Sequence, residues 1–492
     1  MKLIKEDKYL LIVFLLMAIA IFVNTYFNSD GYLSSDSYRY LELAQNILKR
    51  NSFDVFSFGK NINERGFYSI QPVGYSFLIF IMAKFTGLSV FWSSKILNIF
   101  IIGLVLLSFK LLFKKNAYLY SLIFFFASYI KIFSLTWSET IFIFFLYTFA
   151  ISIYYFLTTS KHLYLVSFAI LLTSISLFLS RYIGAFSFGL IGLLGLYYWF
   201  IKKEISKSLI LVSIASINII LMIIYLNHNY HLSGFKTGML RVSSSDSTLD
   251  FVIQFLKAIL VETIIPYTNK HILTKVILFL VVQYSILIYI ILKNKIQIIQ
   301  PNNLKTYFKT ISISYVFFII GLTYILIISF FRWFYMFDDL GERLLAPGSF
   351  LLFIALISFL ENNSTLLFFK KIKLFLVGIS IFSWSINVIY PIVSVHYYTK
   401  NYNEVIKEIE QKYSKIEKNS IIIFGTDHLR YLRIDLQLQN PMKNEQWNDF
   451  INRLKEGHNN IYLDTSKGIK DYDETVVAVI KKYEPNSLIK IN

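Results

Sequence analysis

The chain has 492 residues, 56% of them hydrophobic and 16% charged, with 48 Lys plus Arg against 30 Asp plus Glu, a formal charge of +18 and no cysteine. The missing cysteines exclude disulfides and thiolate metal sites. The basic excess does not point to nucleic acid: Lys and Arg stand in short runs between apolar segments, as the positive-inside rule requires, and no basic aromatic surface module is present.

Apolar runs of bilayer-crossing length recur from Tyr9 to about Val395, so the chain reads as a polytopic α-helical membrane protein. Met1 to Lys8 is short and basic. The run that follows it, 9–27, lacks a small-residue cleavage pattern and reads as an uncleaved first span. Further spans are expected at 94–113, 117–133, 140–157, 162–180, 183–201, 207–226, 273–292, 310–331, 346–360 and 374–393, about eleven in all. The basic clusters Lys2/Lys5/Lys8, Lys114-Lys115, Lys202-Lys203, Lys293/Lys295 and Lys370-Lys371/Lys373 then share one face, the cytoplasmic one, as does the N-terminus. That parity holds only if two other apolar segments, 73–91 and 251–266, lie along the outer surface instead of crossing. The first loop (28–93), the Trp137–Glu139 turn, Arg181, the 227–250 segment, the 332–345 segment and the C-terminal tail all then open to the extracytoplasmic side.

The first loop is far longer than a bundle needs, and such loops are uncommon unless they function. Ser34 or Ser35 caps an expected helix running to about Lys49, with Tyr40, Leu43, Ala44, Ile47 and Leu48 at helical spacing. Asp36 falls in its first turn, where the helix dipole favours a carboxylate; it serves either the helix start or a site. Tyr38, Glu64, Arg65 and the Gln71-Pro72 step add to the polar content of this loop. Glu139 opens a span on the same face. With Asp36 it can form a two-carboxylate site, either for an acceptor hydroxyl or for a divalent cation held by oxygen ligands.

Arg181-Tyr182 lies where one span ends and the next begins. An arginine there faces a cavity or snorkels to the interface. Asp338-Asp339-Leu340-Gly341-Glu342-Arg343 is denser. Arg343 can grip a phosphate with its planar fork, unless Asp338, Asp339 and Glu342 neutralise it. His228 and His231, in the loop after a span, have metal-compatible spacing but no nearby carboxylate, so they read as loop residues.

From about Lys400 the composition becomes that of a soluble domain. Ile421 to Gly425 and Ile461 to Asp464 read as buried strands, and 448–456 and 474–483 as helices, giving a small α/β unit of about ninety residues. The Gly425-Thr426-Asp427-His428 turn lacks a phosphate-loop pattern and reads as an ordinary loop. The expected division is a transmembrane domain over 1–399, with juxtamembrane helices in its first outer loop, and an extracytoplasmic α/β domain over 400–492 with a lid or docking role.

Taken in order, Asp36-Ser37-Tyr38-Arg39-Tyr40 with Ala44, Gln71-Pro72-Val73-Gly74-Tyr75, Trp137-Ser138-Glu139-Thr140, Ser180-Arg181-Tyr182 and Glu342-Arg343-Leu344-Leu345-Ala346-Pro347 resemble the GT-C superfamily of polytopic glycosyltransferases. The likeness covers roughly residues 9 to 360 and is greatest to the protein-mannosyltransferase and aminoarabinose-transferase branch. Where many of those relatives carry an acidic residue or a second proline before the juxtamembrane helix, this chain has Gln71. The resemblance implies a polyprenyl-phosphate sugar donor, Asp36 as the catalytic or acceptor-activating carboxylate, and Glu139 as an assisting or metal-binding one.

The expected reaction is glycosyl transfer with inversion at the outer membrane–water boundary. The acceptor hydroxyl belongs to a glycan, a lipid or a protein. Arg343, with Arg181 or Arg65 as alternatives, stabilises the leaving phosphate, and Tyr38, Gln71 and Tyr182 line the substrate site. Usage of Ile, Lys, Asn, Phe and Tyr fits an AT-rich, bacterial genome, and with it the resemblance implies an inner membrane and a part in envelope glycan synthesis. A transporter or lipid flippase is the competing class; it predicts charges within spans and paired halves with interrupted helices.

Overall fold

The computed structural model describes residues 5–55, 66–159, 161–237, 242–266, 273–293, 312–338, 340–393, 400–442, 445–455, 460–466 and 472–491. Nine helices among them are long and apolar enough to cross a bilayer: Asp7–Tyr26, Val90–Phe125, Glu139–Thr158, Leu163–Ser180, Tyr182–Lys202, Ile205–Ser233, Ile313–Phe334, Glu342–Asn362 and Leu367–Ile389. The chain is an integral membrane protein. Ile277–Lys293 is a shorter apolar helix, and the expected 117–133 span begins inside the Val90–Phe125 run. Large apolar side chains such as Leu15, Phe100, Leu111, Phe168 and Leu374 point outward along these helices. In a soluble protein such a surface would be an aggregation hazard; in hydrocarbon it is the low-energy face.

Contacts gather the chain into two compact units, one of 1–25, 95–227 and 239–397, the other of 26–94, 228–238 and 398–492. The α-helices of the first unit are α1 (Lys5–Tyr26), α4 (Val90–Phe113), α5 (Ala117–Ser121), α6 (Ala127–Ser134), α7 (Glu139–Thr158), α8 (Leu163–Ser180), α9 (Phe186–Tyr197), α10 (Ile205–Ser233), α11 (Thr248–Thr263), α12 (Leu273–Lys293), α13 (Ile313–Phe334), α14 (Glu342–Asn363) and α15 (Leu366–Val393). The second unit holds α2 (Ser35–Arg50), α3 (Gly74–Thr86) and α16 (Tyr402–Tyr413).

In the first unit α13 and α14 pack closely because both are glycine at the crossing. A Cβ on Gly321 would stand 2.8 Å from the Gly348 carbonyl oxygen, and one on Gly348 would stand 2.8 Å from that of Gly321. Small residues at a crossing let two backbones approach, which is how membrane helices gain contact without a hydrophobic driving force. Helix α10 extends to Ser233, so the expected loop at 227–250 begins later than the charge pattern indicated. His228 and His231 therefore lie on a helix, with His228 edge-on to Phe67. Their polar character disguised a helix end that projects beyond the apolar run. Among the described residues no group of three or more His, Asp or Glu gathers as a metal site.

In the second unit, α2 begins where the sequence places it. The Ser34 hydroxyl accepts from the Ser37 amide while the Ser37 hydroxyl accepts from the Ser34 amide, and Asn51 closes the helix in the left-handed conformation. Helix α3 is 13 residues long, about 20 Å at the α-helical rise, short of a ~30 Å hydrocarbon core. In the first loop β1 (Asp54–Val55) pairs antiparallel with β2 (Gly66–Phe67), and the C-terminal part is a four-stranded sheet of order β4-β3-β5-β6, where β3 is Ile421–Ile423, β4 Gln437–Gln439, β5 Ile461–Asp464 and β6 Leu488–Lys490. Strands β4, β3 and β5 are parallel and β6 is antiparallel. Period-two alternation sends Ile421 and Ile423 to one face, against Trp447 and Phe450, and Ile422 to the other, against Tyr413 and Leu429. Both faces are covered, which is why the strand reads as an unbroken apolar run.

The C-terminal part and the first loop share a core. Tyr402 of α16 stacks on Phe91 with ring centroids 3.8 Å apart, and its hydroxyl lies 2.9 Å from that of Tyr431. His428 sits between, with Nδ1 2.8 Å from the Tyr431 hydroxyl and Nε2 3.5 Å from that of Tyr38. Burial lowers the His428 pKa from its ordinary 6.5 to about 4, against a raising influence from Asp30 and Asp427. The unfolded chain thus binds more protons than the folded one between those two pH values. Stability from a neutral His428 is full above pH 6.5 and drains as pH falls toward 4, by on the order of 3 kcal/mol. Thermal unfolding from pH 7 to pH 4 is expected to show this loss in the wild type, with a markedly flatter profile in His428→Gln.

Candidate active site

Glu139 is the first residue of α7, and its carboxylate is completely buried. Its Oε1 accepts from Nε of Arg343 at 2.6 Å and lies 2.9 Å from Nη1 of Arg181. Its Oε2 is buried and takes no hydrogen bond from a described residue. Arg343 also donates from Nη1 to Asp338 at 2.7 Å, and its guanidinium carbon stands 4.8 Å from the centre of the Trp137 ring. The two arginines are mostly buried, whereas the Asp338 side chain is 54% exposed. Two cations and two carboxylates balance, but one carboxylate is locked in protein and the other is at the surface.

Three helix ends deliver these groups. The short break between α6 and α7 is fixed from α4: Lys95 donates to the Ser134 carbonyl at 2.6 Å, and Asn98 donates to the carbonyls of Phe133 and Leu135, each at 2.9 Å. These bonds satisfy the carbonyls that the end of α6 leaves open. Asn98 also accepts from Thr140, tying the first turn of α7 to the same point. Arg181 follows α8 in extended backbone and is stapled by a short turn in which the Gly184 amide donates to its carbonyl at 2.8 Å. A Cβ at Gly184 would fall 2.3 Å from the Leu177 carbonyl, so only glycine closes this turn. Arg343 is in the first turn of α14, whose start is backed by the Tyr324 hydroxyl donating to the Leu344 carbonyl.

The structure brings together Glu139, Arg181, Arg343 and Asp338, which lie far apart in sequence. Glu342 is not a neutraliser of Arg343, contrary to one of the two sequence alternatives; it pairs with Lys131 at 2.5 Å. At successive positions of one helix the two side chains point about 100° apart, so they serve different partners. Asp339 and Arg65 lie outside the described residues. The Tyr182 ring packs against Phe178 and Tyr225. In the second unit, Asp36 is partly buried with Arg39 at 4.0 Å, Tyr38 meets His428, and Gln71 accepts from the Tyr68 hydroxyl at 2.6 Å. Glu139 does not fit as a metal ligand, because two guanidinium groups already flank it and would repel a cation.

Sequence reasoning missed Lys131, Lys95, Asn98 and Glu262. Glu262, in the last turn of α11, accepts from Ser349 of α14 at 2.5 Å, and burial pushes its carboxyl up to about 8. A lone charged residue in an apolar run was the available signal for each of these ionisable groups.

No family model matches the chain, and no curated protein sequence does. Solved structures do. ArnT from Cupriavidus metallidurans bound to undecaprenyl phosphate superposes with a TM-score of 0.56 at 9% identity, over 97% of this chain and 94% of that one. The chain has the GT-C fold. The apo state of the same ArnT gives a TM-score of 0.46 at 10% identity, over 96% and 94% of the two chains. The archaeal oligosaccharyltransferase AglB from Archaeoglobus fulgidus, in complex with an inhibitory peptide and a dolichol-phosphate, gives 0.49 at 11% identity, over 98% and 74%.

The charge cluster makes unequal demands on stability. Glu139→Ala strands two guanidinium groups and is expected to cost about 3–5 kcal/mol. Asp338→Asn removes an exposed partner and is expected to cost under ~1 kcal/mol. Thermal unfolding of the two variants in detergent measures the contrast.

Proposed function

We propose that the chain is a membrane glycosyltransferase that moves a sugar from a polyprenyl-phosphate donor to an acceptor hydroxyl at the extracytoplasmic membrane–water boundary. The observation that carries this reading is the pair Arg181 and Arg343, held by a buried Glu139 at helix ends in a GT-C fold. A lipid phosphate presents its charge at helix-end depth, and ArnT, which has the same fold, is bound to undecaprenyl phosphate. Described ion pairs of the first unit lie toward helix ends, as with Lys110–Asp7, Lys131–Glu342 and Arg332–Asp246. That distribution favours an interfacial enzyme over a transporter, whose charges would sit midway along spans.

In this reading Asp338 holds the place of the phosphate. It is exposed and bound to one face of the Arg343 fork, so an incoming phosphate displaces it while Glu139 keeps Nε in position. Exchange of one anion for another leaves the local charge unchanged until the sugar departs. As the glycosidic bond breaks, negative charge grows on the phosphate, and pre-oriented guanidinium groups stabilise that charge with little reorganisation. The role of Asp36 rests on the resemblance. It deprotonates and orients the acceptor hydroxyl, which attacks the anomeric carbon in one displacement and inverts it. Glu139 assists as the residue that aims the arginines.

The test is sugar transfer by purified protein supplied with a panel of radiolabelled polyprenyl-phosphate sugars. Wild type is expected to transfer from one donor, and a folded Asp36→Asn to be slower by about 10²-fold or more, the range for loss of a general base. Arg343→Lys, which keeps the charge but loses the fork, is expected to be impaired as well. Full activity in Asp36→Asn would remove that residue from the mechanism, and full activity in Arg343→Lys would remove the phosphate-fork role.

A further inference from the structure

A second feature of the first unit, independent of the glycosyltransferase reading, is a groove of about 460 Å³ between α12 and α15. Its wall runs from Pro266 and Phe279 past Gln283 to Ile290, and from Phe382 past Gly378 to Lys371. Gln283 is the polar residue midway, and both ends of its amide are spent inside the protein: Oε1 accepts from the Ile265 amide at 3.0 Å and Nε2 donates to the Thr263 carbonyl at 2.7 Å. Among the described residues the groove is therefore apolar along its length and charged at Lys371.

Gly378 sharpens the point. A Cβ there would meet no atom of the described residues within 4 Å, although the residue is inside α15. Glycine is unfavourable within a helix, and among the described residues no neighbour approaches closely enough to need it. The missing side chain leaves room for something other than protein. Along α12, Phe279 to Ile290 spans about 16 Å at the helical rise, close to half of a ~30 Å hydrocarbon core. The groove is thus one leaflet deep. At its lysine end the neighbourhood is basic: Lys370 precedes Lys371 and α12 ends in Lys293, while Lys373 turns to the Tyr118 ring. An anionic head group gains from such a rim.

We propose that this groove seats one acyl chain of an anionic phospholipid whose phosphate rests on Lys371. The donor lipid does not fit the same place. Arg343 and Lys371 are separated by α14, 22 residues or about 33 Å long, so a donor phosphate at Arg343 and a head group at Lys371 belong to opposite membrane faces.

The experiment is native mass spectrometry of the delipidated full chain titrated with phosphatidylglycerol or with phosphatidylcholine of matched chains. One phosphatidylglycerol is expected to remain bound, at least fivefold tighter than phosphatidylcholine. Lys371→Gln, at a partly exposed position, is expected to abolish that preference. Gly378→Leu adds a side chain whose Cβ meets no described atom and whose branch enters the groove, and it is expected to weaken binding at least tenfold in a protein that still folds. Equal binding of the two lipids by the wild type would overturn the proposal, as would undiminished phosphatidylglycerol binding by Gly378→Leu. Displacement of the bound lipid by one equivalent of a polyprenyl phosphate would also overturn it, by giving the groove to the donor.

Discussion

One carboxylate oxygen organises the polar end of the first unit. Oε1 of Glu139 is shared by Arg181 and Arg343, so a single buried anion fixes three helix ends relative to one another. A carboxylate withdrawn from water is costly unless both charge and hydrogen bonding are returned to it, and neither arginine alone returns enough. The arrangement is stable only if all three side chains arrive at the right depth. That requirement explains features that otherwise look incidental: Lys95 and Asn98 clamping the end of α6, Gly184 closing the turn after Arg181, and Gly321 against Gly348 setting α14 on α13. Each positions one member of the cluster.

The second unit solves a different problem. Its first-loop helices are too short to cross a bilayer; they carry a small core of their own, Leu43, Ile47, Val55 and Tyr68, and pack in addition on the C-terminal sheet domain. The stacked Phe91 and Tyr402 rings, and the chain of hydroxyls and imidazole from Tyr402 through Tyr431 and His428 to Tyr38, make one packed body from sequence segments more than three hundred residues apart. Asp36 rides on the helix that this body holds.

Much of the fold was legible because its signals are local. Apolar runs located the spans, the Ser34-to-Ser37 spacing located α2, and three consecutive isoleucines located β3. The candidate site was legible only in parts. Glu139, Arg181 and Arg343 each stood out as charges at span ends, but pairing is a tertiary fact, and nothing in the sequence says which cation meets which anion. Glu342 is the clearest case: it adjoins Arg343 in the chain and faces Lys131 in the fold. His228 and His231 failed for a related reason. A polar helical turn beyond the end of a span has the same composition as a loop. The partners of His428 were invisible because its turn carries no motif and its neighbours come from both ends of the chain.

Direct binding of a polyprenyl phosphate tests the central claim, that the Glu139-anchored arginines are an anion site. The informative comparison is wild type against the triple variant Arg181→Gln, Glu139→Gln, Arg343→Gln, which replaces the cluster with neutral side chains and leaves no buried charge unpaired. Wild type is predicted to bind a labelled polyprenyl phosphate, and a folded triple variant to bind it at least tenfold more weakly, the equivalent of about 1.4 kcal/mol. Equal affinity in the two proteins would contradict the account, reducing the cluster to a structural bolt.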